Sequence, residues 1–211
     1  MEGSPCPPVQ AVKVVESRPL RRMGVSSAPG YGSGLAATSL GWPTLLRWCV
    51  WVQPVDGDAD RWERRWLTAV NAALETWSDI LPITRVSARD QAQVLLQRRR
   101  PPRLRLNGVW RASNGRSRLQ LVEVRRQGVW RFEPSVVVMV SPELRASALQ
   151  STALHELGHA FGLWGHSTEP GDVMAVHQGR EPVLEPSARD RATIDWVRSQ
   201  PSQFGLSQSP D

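Results

Sequence analysis

Lysine is all but missing from this chain. Lys13 is the only one among 26 basic residues, so a net charge of +6 and a pI near 10.8 rest almost wholly on arginine. Charge of this kind argues for solubility and non-specific attraction to anions rather than for a particular partner, and a solvated basic surface is the plain reading. Long apolar runs are missing too. None approaches the roughly 20 residues of a membrane-spanning helix, so no transmembrane segment is predicted. The first residues hold Pro5, Pro7 and Pro8 and no apolar stretch of the kind a secretion signal carries. The two cysteines, Cys6 and Cys49, are too few for a disulfide framework. Cys49 lies in an apolar alternating stretch and is predicted to be a small buried residue, while Cys6 lies in a tail. Tyrosine and phenylalanine are scarce, but ten tryptophans supply the aromatic bulk. Most of them sit in patterned segments, which marks them as core.

A length of 211 residues with 40% hydrophobic content suits one domain with tails. Residues 1–40 are rich in Pro, Gly and Ser and are predicted to be a flexible tail, because such a composition buries too little to offset its ordering entropy. Residues 41–200 form the domain, and 201–211 a loose C-terminal tail. Alternation over 44–52 predicts a strand, with Leu46, Trp48, Val50 and Val52 on one side. Pro54-Val55-Asp56-Gly57 reads as a turn. A helix follows, capped by Asp58 or Asp60. Its stripe runs through Trp62, Trp66, Ala69, Val70, Ala73, Leu74 and Trp77 and ends before Pro82. Short strands are expected around 104–111, 117–124 and 128–133, with Asn114-Gly115 and Gln127-Gly128 as turn signals. Residues 135–140 form an apolar run that fits a buried strand. Ser141 and Pro142 look like a helix start, and Gly162 like its end. Ser187-Ala188-Arg189-Asp190 reads as a capping box opening a last helix.

The chemistry gathers in one stretch, His155-Glu156-Leu157-Gly158-His159-Ala160-Phe161-Gly162-Leu163-Trp164-Gly165-His166. It opens as His-Glu-x-x-His. On a helix, residues four apart share a face, so His155 and His159 can aim both imidazoles at one ion. Glu156 can then act on a metal-bound water rather than on the metal. Gly162 supplies the turn that brings His166 back as a third ligand. Three ligands leave a fourth position open, the mark of a catalytic zinc site rather than a structural one. The chain has four histidines, and three of them fall in this segment.

The segment resembles the active-site helix of the metzincin zinc peptidases and, within them, the matrixins (the matrix metalloproteinase group). Their pattern is His-Glu-x-x-His-x-x-Gly-x-x-His followed by a methionine turn. The run from His166 through Ser167-Thr168-Glu169-Pro170-Gly171-Asp172-Val173 to Met174 is similar to the matrixin run from third histidine to that turn. One residue is inserted, so Gly165 stands where the family has its histidine and His166 is displaced by one. A second likeness lies upstream. Residues 72–86, Ala-Ala-Leu-Glu-Thr-Trp-Ser-Asp-Ile-Leu-Pro-Ile-Thr-Arg-Val, resemble the first matrixin helix running into the second strand, and 90–97 resemble the central strand more loosely.

The resemblance implies an α+β fold of the metzincin type. That is a twisted mixed sheet with one long helix packed on it, an active-site helix below and a short C-terminal helix. It implies one catalytic zinc held by His155, His159 and His166, with Met174 as an apolar floor. It implies a substrate-pairing sheet edge within 109–124 and a pocket wall over 175–186, where His177 would stand as a non-ligand. No spare histidines or Asp/Gly-rich loop occur between 100 and 135, so neither a structural zinc nor a family-type calcium site is expected. The implied activity is zinc-dependent hydrolysis of internal peptide bonds by a monomer with a protein or peptide substrate. Family likeness favours an extracellular or periplasmic place, and the absence of a visible signal leaves a cytoplasmic one open. Two rivals remain: a zinc-dependent ribonuclease, suggested by the basic pI, and a non-catalytic zinc-stabilised binding module. Glu156 argues against both, and no specific nucleic acid is predicted as a partner.

Overall fold

Alternating and helical spacings sort the described residues into a six-stranded mixed sheet, two two-stranded sheets and three α-helices, an α+β arrangement. The computed structural model describes residues 5–17, 20–22, 24, 27–55, 57–106, 108–177 and 179–208. Asp56 of the expected turn and parts of both expected tails lie outside the described residues. The strands are β1 (Ala11–Glu16), β2 (Arg21–Arg22), β3 (Ala36–Ala37), β4 (Trp48–Val52), β5 (Ile83–Val86), β6 (Val94–Arg98), β7 (Leu104–Leu106), β8 (Val109–Arg111), β9 (Gly115–Arg126) and β10 (Val129–Val140). The helices are α1 (Arg61–Ser78), α2 (Ala146–Ala160) and α3 (Ala188–Ser199). The large sheet runs β1-β9-β10-β6-β4-β5. Its four strands from β10 to β5 are parallel, and β9 is antiparallel to both its neighbours.

Helix α1 forms as its apolar stripe demands. Asp60 caps it, accepting from Trp62 N and Glu63 N, and Glu63 returns the bond to complete a capping box. Trp66, Ala69, Val70, Ala73, Leu74 and Trp77 are buried. Trp62 is not: it is 43% exposed, flanked by the guanidinium groups of Arg61 and Arg65. The stripe packs with Leu149, Ala153, Leu154 and Leu157 of α2 and with Trp48, Val50, Val94, Val136 and Val138 of the sheet. Each such large apolar side chain contributes roughly 1.5–3 kcal/mol on burial. Trp77 also donates its Nε1–H to Leu154 O at 2.9 Å, which locks α1 to the helix that carries the histidines.

Several expectations need correcting. Strand β10 is one continuous element rather than the two strands expected over 128–133 and 135–140. Val136 N bonds to Gln93 O on the β6 side, and pairing with β6 begins at Val136. The missing N–H of Pro134 points to that same side, beyond the end of the pairing, so no ladder bond is lost. Helix α2 starts at Ala146, not at Ser141–Pro142, because Ser141 N still bonds to Asn114 O in the sheet and the first helical bond is Leu149 N to Arg145 O. Leu46 is 87% exposed instead of facing the core.

The described part of residues 1–40 is not a loose tail. Strand β1 pairs with β9, and Tyr31, Leu35 and Ala37 are buried. Cys6 and Cys49 are joined in a disulfide that ties the arm to β4, contrary to the separate roles expected for them. Nor is the C-terminal stretch loose: Phe204 is buried, and Gln203 and Gly205 bond to the main chain of Leu40 and Phe132.

Candidate metal centre

Helix α2 places His155 and His159 one turn apart, and the chain then turns back through Phe161 and Gly162. Gly162 has φ +120°, a conformation that side chains resist, and Leu163 N reaches back to Gly158 O at 3.0 Å. This turn returns His166 to the pair. One ring nitrogen from each of His155, His159 and His166 lies within 4.8 Å of the others, close enough to bind one metal ion.

The donor chemistry fits such an ion. His155 Nδ1 lies 2.8 Å from Val173 O, and His159 Nδ1 lies 2.7 Å from Leu163 O. A carbonyl only accepts, so each Nδ1 carries the proton and each Nε2 keeps its lone pair for a metal. Burial holds His155 down to about 4 and His159 well below the ordinary imidazole value, so both stay neutral near pH 7. His166 is lowered as well, again by burial. Three neutral imidazoles suit a transition ion rather than calcium or magnesium, which want oxygen ligands.

Glu156 shares the helix but stands outside the ligand set. The residue is 8% exposed, and burial pushes its carboxyl pKa up to about 7 against the lowering pull of Ser117 and Arg116. Ser117 Oγ lies 2.8 Å from Glu156 Oε2 and also 2.8 Å from Glu156 O. Gly115 lets this happen: a Cβ there would stand 2.6 Å from Glu156 Cγ and 2.6 Å from Thr152 Cγ2. His155, Glu156 and Thr152 open onto a cleft of about 310 Å³, walled by Asn114 and Gly115 on one side and Ala175 and Val176 on the other. A larger cavity of about 460 Å³ lies elsewhere, against Arg47, Arg131 and Arg198. It has no set of metal-ligating groups, so chemistry rather than volume picks out the smaller cleft.

Met174 is fully buried under α2 and sits against Gly158, where a Cβ would collide with its sulfur. His177 is exposed and does not join the three histidines. Residues beyond the motif support it. Asp190 accepts from Tyr31 Oη at 2.6 Å, from Val173 N at 2.8 Å and from Ser187 N at 2.9 Å. Val173 in turn carries the carbonyl that orients His155. Sequence reasoning saw Asp190 only as a capping residue and missed Tyr31, Ser117 and Gly115. The one available signal was Asn114-Gly115, read as a turn. No family model matches the chain, and no curated protein matches it.

Proposed function

We propose that the protein is a zinc-dependent endopeptidase of the matrixin type, with His155, His159 and His166 holding the ion. The observation that carries this reading is the place of Glu156: a buried carboxylate, outside the ligand set, facing the same cleft as His155 of the three-histidine cluster. Zinc in such a site lowers the pKa of water toward about 7 and polarises a carbonyl. Glu156 takes the proton of the attacking water on a carboxylate oxygen and hands it to the leaving amine nitrogen. Ser117 fixes the carboxylate for that task. Strand β9 offers main-chain groups to an extended peptide, which holds the scissile bond in place. The disulfide supports an oxidising compartment outside the cytoplasm.

Cleavage of a peptide library, read by mass spectrometry, tests this reading. Wild type with zinc should cut, while Glu156→Gln should bind zinc equally well and turn over roughly 10²–10⁴-fold more slowly. Full activity in Glu156→Gln, or wild-type cutting that survives a chelator, would refute it.

A further inference from the structure

The three histidines are not held alike. His155 and His159 each give a ring proton to a main-chain carbonyl, Val173 O and Leu163 O. His166 is exposed, and among the described residues nothing forms a hydrogen bond with its ring. Its place is therefore set by the main chain on either side. Downstream, Ser167 N bonds to Met174 O at 2.8 Å. Upstream, the hold comes from the N-terminal arm.

The arm makes a tight turn just before it meets the histidine loop. Gly32 N bonds to Pro29 O at 3.0 Å and Gly34 N to Tyr31 O at 2.9 Å, so the turn keeps its own shape. Ala36 N then bonds to Trp164 O at 2.8 Å. Beside that bond, Gly34 and Leu35 press on Gly165. A Cβ on Gly165 would stand 2.7 Å from Gly34 O and 2.8 Å from Leu35 Cδ2. The φ of Gly165 lies outside the left-handed region, so its backbone does not call for glycine; the closeness of the arm does. Leu35 is 1% exposed, which makes this an interior contact. The other end of the turn is anchored on α3. Tyr31 N bonds to Thr193 Oγ1 at 3.3 Å, and Tyr31 Oη to Asp190 at 2.6 Å.

We propose that Tyr31, Leu35 and Ala36 complete the metal centre as a clamp that positions His166. Helix α3 holds the arm, and the arm holds the main chain of Trp164 and Gly165. These are positioning residues, since they act through the segment that carries the ligand. The inference rests on the zinc site of the reading above and not on peptide cleavage.

Zinc affinity, measured by competition with a chromophoric chelator, tests the clamp in a double-mutant cycle of Gly165→Ala and His166→Ala. Alone, Gly165→Ala drives a methyl into Gly34 O and should lower zinc affinity about 10–100-fold, the usual cost of disturbing a group that orients a ligand. With His166 already replaced by alanine, the same substitution should change zinc affinity by less than about twofold. Cobalt-substituted Gly165→Ala should also lose the wild-type visible spectrum and take on that of cobalt-substituted His166→Ala. Unchanged zinc affinity in folded Gly165→Ala, or a loss just as large without His166, overturns the clamp. Should a thermal melt show Gly165→Ala unfolded, Leu35→Val withdraws the methyl without a collision and takes its place in the cycle, with the same two outcomes deciding. Wild type that binds no zinc overturns the zinc site and the clamp together, whereas failure of the clamp alone leaves wild-type binding intact.

Discussion

Replacing both Cys6 and Cys49 with alanine removes a tie that spans 43 residues. Closing a loop of that length takes about 13 cal/mol/K of chain entropy from the unfolded ensemble, or about 4 kcal/mol at 25 °C. Against a typical total of about 5–15 kcal/mol, that is a large share. The native arm should nevertheless stay in place. Val9 N bonds to Asp90 O at 2.9 Å, Gln10 N to Arg125 O at 2.8 Å, and β1 remains paired with β9. The effect therefore lies in the unfolded state, and zinc affinity should not move. Urea denaturation measures it: with a slope of about 2 kcal/mol/M, the midpoint should fall by about 2 M. The slope itself should rise, since an untied unfolded chain exposes more surface. A loss below about 1 kcal/mol with an unchanged slope would refute the entropic reasoning.

Gly115→Ala puts a methyl into Glu156 and Thr152. It should cost about 1–3 kcal/mol of stability by overpacking and lower kcat at least tenfold with zinc still bound, as thermal melts and peptide kinetics would show. Tyr31, the only tyrosine, has its hydroxyl pKa driven far up by burial and then by the charge of Asp190. A group whose pKa rises on folding stabilises fully below its unfolded value and progressively less above it, so stability should decline as pH rises past about 10. Absorbance at the tyrosinate band should change only as the protein unfolds. A normal titration in the folded state would show that the Tyr31–Asp190 contact is absent.

The gathering of the three histidines was the most legible part of the chain, because helical spacing is rigid. Two residues four apart on α2 must share a face, and Gly162 had to turn. The capping box at Ser187 was legible for a similar reason, since it lies within one turn of helix, while the cap of α1 was narrowed only to Asp58 or Asp60 and its box with Glu63 was not read. What composition hid was long-range pairing. Ala11–Glu16 is short and preceded by prolines, and nothing local says that Arg125 awaits it. Cys6 and Cys49 gave no sign of each other, because a disulfide needs proximity that only the folded arm supplies. Ser117 was equally silent: its role depends on β9 running past α2, a meeting of residues 39 positions apart. Gln127-Gly128 was the counterexample, a two-residue turn with φ +49° and +80° that its residue types announced.

The edge position of β1 also bears on the order in which the chain is made. Ala11 leaves the ribosome long before Arg125, so β1 cannot find its partner until the intervening chain has followed. In the interval Val12, Val14 and Val15 stand without a sheet to join, and a bare β9 would offer its edge to any passing strand. Cys49 emerges much earlier than β9. If its bond to Cys6 closes first, the arm is already leashed beside β4 when β9 arrives, and a distant encounter becomes a local one.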